Sequence, residues 1–134
     1  MRKSVTIPAT LEAVSGFTAS LEADLKQMPA QTRMAVVLAV QELCVNIVKH
    51  AYRGTRGDIH IQIDWSSQGL DITCTDSAPT TYTPPEVITA PDPLLLPESG
   101  MGMFIIYQTF DRVEYEHLDH GNRWHVQKLM ENTA

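Results

Sequence analysis

Cysteine is scarce in this sequence: Cys44 and Cys74 are the only two, and each sits inside an apolar run. Two such thiols cannot build a disulfide framework, and they read as small buried hydrophobes in a reducing compartment. Basic residues are also few. Ten Lys and Arg stand against sixteen Asp and Glu, for a net charge of −6. No basic stripe with interleaved aromatics runs along the chain, so direct nucleic-acid binding is not expected. The first ten residues lack the apolar core of a signal peptide, and no apolar run reads as long enough to span a membrane. These absences lead to the expectation of a soluble cytoplasmic protein.

Proline is sparse except in one place. Six of the eight prolines lie between Pro79 and Pro97, in a stretch without any period. A loop of that length inside a compact domain is usually functional or disordered. The chain is 134 residues long and 43% hydrophobic, which is one domain with a core that needs no staples.

Around that loop the periodicity is clear. Arg2 to Ile7 alternates as a short strand ended by Pro8. Thr10 is placed to cap a helix whose apolar side carries Leu11, Val14, Phe17, Leu21 and Leu25, closed by Pro29. A second helix runs from about Gln31 to Tyr52 and is apolar nearly all round, which predicts a central, buried position. Asp58 to Trp65 and Leu70 to Thr75 alternate about the turn Ser66 to Gly69 and read as a hairpin. Gly100 to Phe110 reads as a loop entering a helix. Arg112 to Leu118 and Arg123 to Leu129 form a second hairpin about the turn His117 to Asn122. Grouped strands and separate helices predict an α+β two-layer sandwich, with a mixed, mostly antiparallel sheet and helices on one face.

Three groups of residues carry chemistry. On the second helix Glu42, Asn46, Lys49, His50 and Arg53 fall within one roughly 100°-wide face of an otherwise apolar cylinder. Solvent, internal contacts such as Glu42–Asn46 and Glu42–Lys49, or a ligand would each satisfy that stripe. The residue types suit a ligand. A carboxylate activates a hydroxyl, an amide oxygen completes a magnesium shell, and His50 and Arg53 meet phosphate oxygens. Asp76 ends a strand at the mouth of the long loop. It reads either as a turn-forming Asp or as an acceptor for an exocyclic amine. Ser99-Gly100-Met101-Gly102-Met103-Phe104 sets two glycines just before a helix, either as a plain helix entry or as backbone N–H groups facing a phosphate. It is neither a Walker loop nor a Rossmann fingerprint.

In this order the three groups resemble the GHKL (Bergerat-type) ATPase family, and more closely the small RsbW-like anti-sigma-factor serine/threonine kinases. Glu42-Leu43-Cys44-Val45-Asn46-Ile47-Val48-Lys49-His50-Ala51-Tyr52 is similar to the N-box of that group. Asp76-Ser77-Ala78-Pro79 is similar to its first glycine box and Gly100-Met101-Gly102-Met103 to its second. Gly121-Asn122-Arg123-Trp124 with Lys128 is similar to its last hairpin. The resemblance implies one ATPase domain over residues 1–134 with an ATP lid at about 77–100. It implies Glu42 as general base, Asn46 as magnesium ligand and Asp76, beside Ala78, as holder of the adenine amine. Gly100 and Gly102, with Met101 and Met103, would let the lid close on the phosphates of ATP or ADP. It also implies an STAS-type anti-anti-sigma substrate, a sequestered sigma factor and a homodimer. The chain departs from the group at Ala78, where Gly is usual, and at Arg123-Trp124, where a Thr is frequent. Both departures leave open a partner-switching module that binds nucleotide without transferring phosphate.

Overall fold

The structure is a computed structural model that describes residues 1–79 and 98–130. Strand β1 (Arg2–Pro8) is followed by helices α1 (Leu11–Asp24) and α2 (Ala30–Asn46), and α2 runs on into a π-helical turn, Ile47–Tyr52. Then come β2 (Asp58–Ser66), β3 (Gly69–Asp76), α3 (Glu98–Thr109), β4 (Arg112–Leu118) and β5 (Gly121–Leu129). The strands form one sheet in the order β1-β2-β3-β5-β4. Every pairing among the described residues is antiparallel, so the mostly antiparallel sheet expected from sequence is found with no parallel pair in it. Each connection between paired strands returns the chain in the opposite direction, and no β-helix-β crossover forces a parallel pair.

The two-layer arrangement follows from the period-2 pattern. Ile59, Ile61 and Ile63 of β2, Leu70, Ile72 and Cys74 of β3, and Trp124 and Val126 of β5 are buried on one face. Val14, Phe17 and Leu21 of α1 and Val36, Val40 and Leu43 of α2 complete the core with Ile106 of α3. Burying each such side chain contributes about 1.5–3 kcal/mol. The other sheet face stays polar, with Gln62 of β2, Thr73 of β3, His125 of β5 and Glu114 of β4 in register across it.

Thr10 caps α1 as its position predicts, its hydroxyl accepting the Ala13 N–H at 3.1 Å. Leu11, expected on the apolar side, is exposed, and the helix ends at Asp24, well before Pro29. Helix α2 packs against both α1 and α3, yet Met34 is 68% and Leu38 45% exposed. In a two-layer fold the outer side of even the middle helix has nothing to pack on, so an all-round apolar sequence does not make a fully buried helix. One further expectation fails here: by length and a mean hydropathy of 1.4, Ala30–Tyr52 is long and apolar enough to cross a membrane. The stripe Val36, Ala39, Val40, Leu43, Cys44 and Ile47 of this segment lies in the core of the domain.

Candidate functional site

Asp76 closes β3 on the inner face and is 4% exposed. Its Oδ1 accepts the Ala78 N–H at 2.9 Å and the Asn122 side-chain amide at 3.0 Å. Its Oδ2 is buried and has no hydrogen-bond partner among the described residues. A buried polar atom left without a partner costs about 1–3 kcal/mol, and a donor from a ligand could satisfy this oxygen. Ala78, whose N–H holds the other oxygen, is itself fully buried.

Sequence reasoning assigned Asn122 no role and placed it in a turn. The turn is shorter than expected, Asp119-His120, and β5 begins at Gly121. Asn122 is therefore a strand residue directly opposite Asp76. The Tyr115 hydroxyl donates to Asn122 Oδ1, which sets the amide so that its nitrogen points at Asp76. The Tyr115 ring in turn tilts against Trp124, with centroids 4.9 Å apart. Gly121 makes the entry possible. Its φ is +127°, and a Cβ there would lie 1.8 Å from the Asp76 carbonyl oxygen. The hairpins fix β2 against β3 and β4 against β5 only; the β3–β5 pairing that sets Asn122 against Asp76 joins the two hairpins and left no local signal in the sequence.

The other half of the site is the end of α2. Glu42 and Asn46 are half-buried, whereas Lys49, His50 and Arg53 are exposed. An ideal α-helical wheel does not apply past Asn46. From Ile47 the chain takes i→i+5 bonding, a form found frequently at functional sites, and Arg53 leaves the helix in the left-handed region at φ 51°. Its guanidinium donates to the His50 carbonyl at 3.2 Å. Glu42–Asn46 and Glu42–Lys49 contacts do not form. No hydrogen bond or ion pair engages any of these three side chains among the described residues.

Two links hold this helix end over Asp76. Tyr52, buried at the end of the π-helical turn, donates its hydroxyl to the Asp58 carbonyl at 2.6 Å and accepts the Ser77 N–H at 3.0 Å. Gly57 leaves room for that ring, since a Cβ there would come within 2.2 Å of it. Deeper in, the Cys74 thiol lies against Cys44. That hydrogen bond, then burial, then the charges of Cys44 and Asp76 push the Cys74 thiol well above its ordinary range. Cys44 sits between Glu42 and Asn46 in sequence, and Cys74 two residues before Asp76, so the two cysteines seat one half of the site on the other.

The glycine pair is not a loop before a helix. Helix α3 already contains Gly100, Met101, Gly102 and Met103. Its first turns face α2, and a Cβ at Gly102 would lie 2.7 Å from Glu42 Oε2. The lid expected at about 77–100 falls largely on residues 80–97, which lie outside the described residues. Among the described residues no cluster of three or more His, Cys, Asp or Glu forms a metal cage. Magnesium bound with phosphates needs only one or two protein oxygens and keeps waters, so the uncommitted amide of Asn46 fits such an ion. The free Oδ2 of Asp76 fits an amine of a base.

The family model of the histidine kinase-like ATPase domain matches residues 7–128. No curated protein matches the chain. Among solved structures, the crystal structure of the RsbU and RsbW domains of Rv1364c from Mycobacterium tuberculosis matches with a TM-score of 0.70 at 16% identity. All of this chain is covered, spanning 34% of the length of that one, and at such identity the likeness concerns the fold alone.

Proposed function

Because the chain belongs to the histidine kinase-like ATPase domain family, we propose that it binds ATP or ADP with magnesium and phosphorylates a serine or threonine of an STAS-type anti-anti-sigma partner. On this reading it acts in the cytoplasm as an anti-sigma regulatory factor, a homodimer that holds a sigma factor in alternation with that partner. The observation that carries the reading is Asp76, a buried carboxylate with one oxygen fixed by two donors and the other left for an amine.

The roles follow from the side chains. Asp76 Oδ2 accepts the exocyclic amine of adenine, with Ala78 against the base. Asn46 supplies an amide oxygen to magnesium, which when bound neutralises charge on the phosphates. His50 and Arg53, both exposed, are free to approach phosphate oxygens, and the N-terminal turns of α3 offer backbone N–H groups to them. Glu42, whose carboxylate has no hydrogen-bond or ion-pair partner among the described residues, takes the proton of the acceptor hydroxyl. Most of the rate comes from holding hydroxyl and phosphoryl group together.

Incubation with labelled ATP, magnesium and an STAS-domain protein tests the proposal directly. Label should appear on the STAS protein, and Glu42→Ala should cut its appearance by about a hundredfold or more while ADP binding persists. Full transfer in that variant removes Glu42 from its role. Asn46→Ala should abolish the magnesium dependence of ADP binding measured by calorimetry; an unchanged dependence sinks the metal assignment. The buried methyl of Ala78 favours a second reading, a nucleotide-binding partner switch without transfer. Tight ADP binding with no labelled partner would decide for it.

A further inference from the structure

Gly102 is the fifth residue of α3, it is buried, and it faces Glu42 rather than open space. A Cβ built on it would stand 2.7 Å from Glu42 Oε2, 3.7 Å from Cδ and 3.8 Å from the Glu42 Cβ. The nearest of these atoms is the tip of a flexible side chain. A methyl group at 102 would therefore displace the carboxylate and leave the helix pair in place. The same carboxylate makes no hydrogen bond or ion pair among the described residues, so no other contact fixes where it points. Among the described residues, the space left by the missing side chain at Gly102 is where that carboxylate lies.

We infer that Gly102 is a positioning residue for Glu42: the bare backbone of α3 at this point provides the seat in which the Glu42 carboxylate rests. This role is distinct from closing a lid on phosphates, and it rests on Glu42 being the base proposed above. It couples the placement of α3 to the placement of the base. A shift of α3 along α2 would move the carboxylate without any change in α2 itself.

The test uses the full chain with Gly102→Ala and two readouts. The first is the carboxyl resonance of Glu42 in glutamate-labelled protein, assigned by its loss in Glu42→Gln. The second compares phosphoryl transfer to the STAS protein with the ADP dissociation constant. The expected result is a displaced Glu42 resonance and transfer reduced about a hundredfold, as for a misplaced reacting group. Transfer should fall by far more than ADP affinity does, because the displaced carboxylate acts in the step after binding. A parallel loss of ADP affinity, an unmoved Glu42 resonance, or an unfolded variant would each overturn the inference. If the wild-type chain transfers nothing, the kinase reading has failed. The resonance then decides alone: displacement supports the seat, and no displacement refutes it.

Discussion

Replacing Asn122 by Ala removes the amide that donates to Asp76 Oδ1 and leaves a buried carboxylate with a single donor. The expected cost is about 1–3 kcal/mol of stability, read as a lower denaturation midpoint with an unchanged slope, and a weaker affinity for ADP. Unchanged ADP binding would show that the amide does not orient Asp76 for a ligand. Gly102→Ala should behave in the opposite way. It exchanges Gly for the best helix former inside a helix, a gain of up to about 1 kcal/mol, so the variant should melt no lower than the parent. At Cys74 the raised thiol pKa and full burial of both cysteines predict that neither reacts with a thiol reagent in the native protein and both do in denaturant. The sign of the pH effect follows. The folded chain holds the Cys74 proton to higher pH than the unfolded chain, so its contribution to stability is complete below the ordinary thiol range. That contribution is lost as pH rises through the alkaline range, which urea melts at rising pH would record.

At the scale of elements, Tyr52 and the π-helical turn decide how α2 meets the sheet. Tyr52→Phe deletes a hydroxyl that serves two backbone groups, Asp58 and Ser77. The expected loss is about 1–3 kcal/mol, together with weaker ADP binding because Ser77 adjoins Asp76. Wild-type ADP affinity in Tyr52→Phe would confine the tie to stability. Much of this region was legible in the sequence: the helix around Glu42 and Asn46, the hairpin leading to Asp76, and the Thr10 cap follow from period and composition. The π-helical turn was not legible, because Val45, Ile47 and Val48 suit either helical spacing and the choice falls at the packing of Tyr52. The start of α3 was misplaced for a related reason. Gly100 and Gly102 look like loop residues locally, whereas against α2 a side chain at 102 would collide with Glu42.

For the molecule as a whole, ligand binding and folding are linked. ADP with magnesium at about a hundred times its dissociation constant should add about 2.7 kcal/mol to the unfolding free energy. Asn46→Ala should lose the magnesium-dependent part of that gain; a thermal shift independent of magnesium in both proteins would contradict the assignment.

The sequence by itself determined the fold class, because period-2 and period-3.6 patterns leave few ways to bury these faces, and it determined which side chains have the chemistry for a nucleotide. Only the tertiary structure decided which of them meet. Asn122 reached Asp76 through the pairing of β3 with β5, and Gly102 reached Glu42 through the packing of two helices. Each is a contact between residues far apart in the chain, set by packing that no local pattern encodes. So Asp76 stands as one fixed and one free oxygen, a distinction invisible in the letter D.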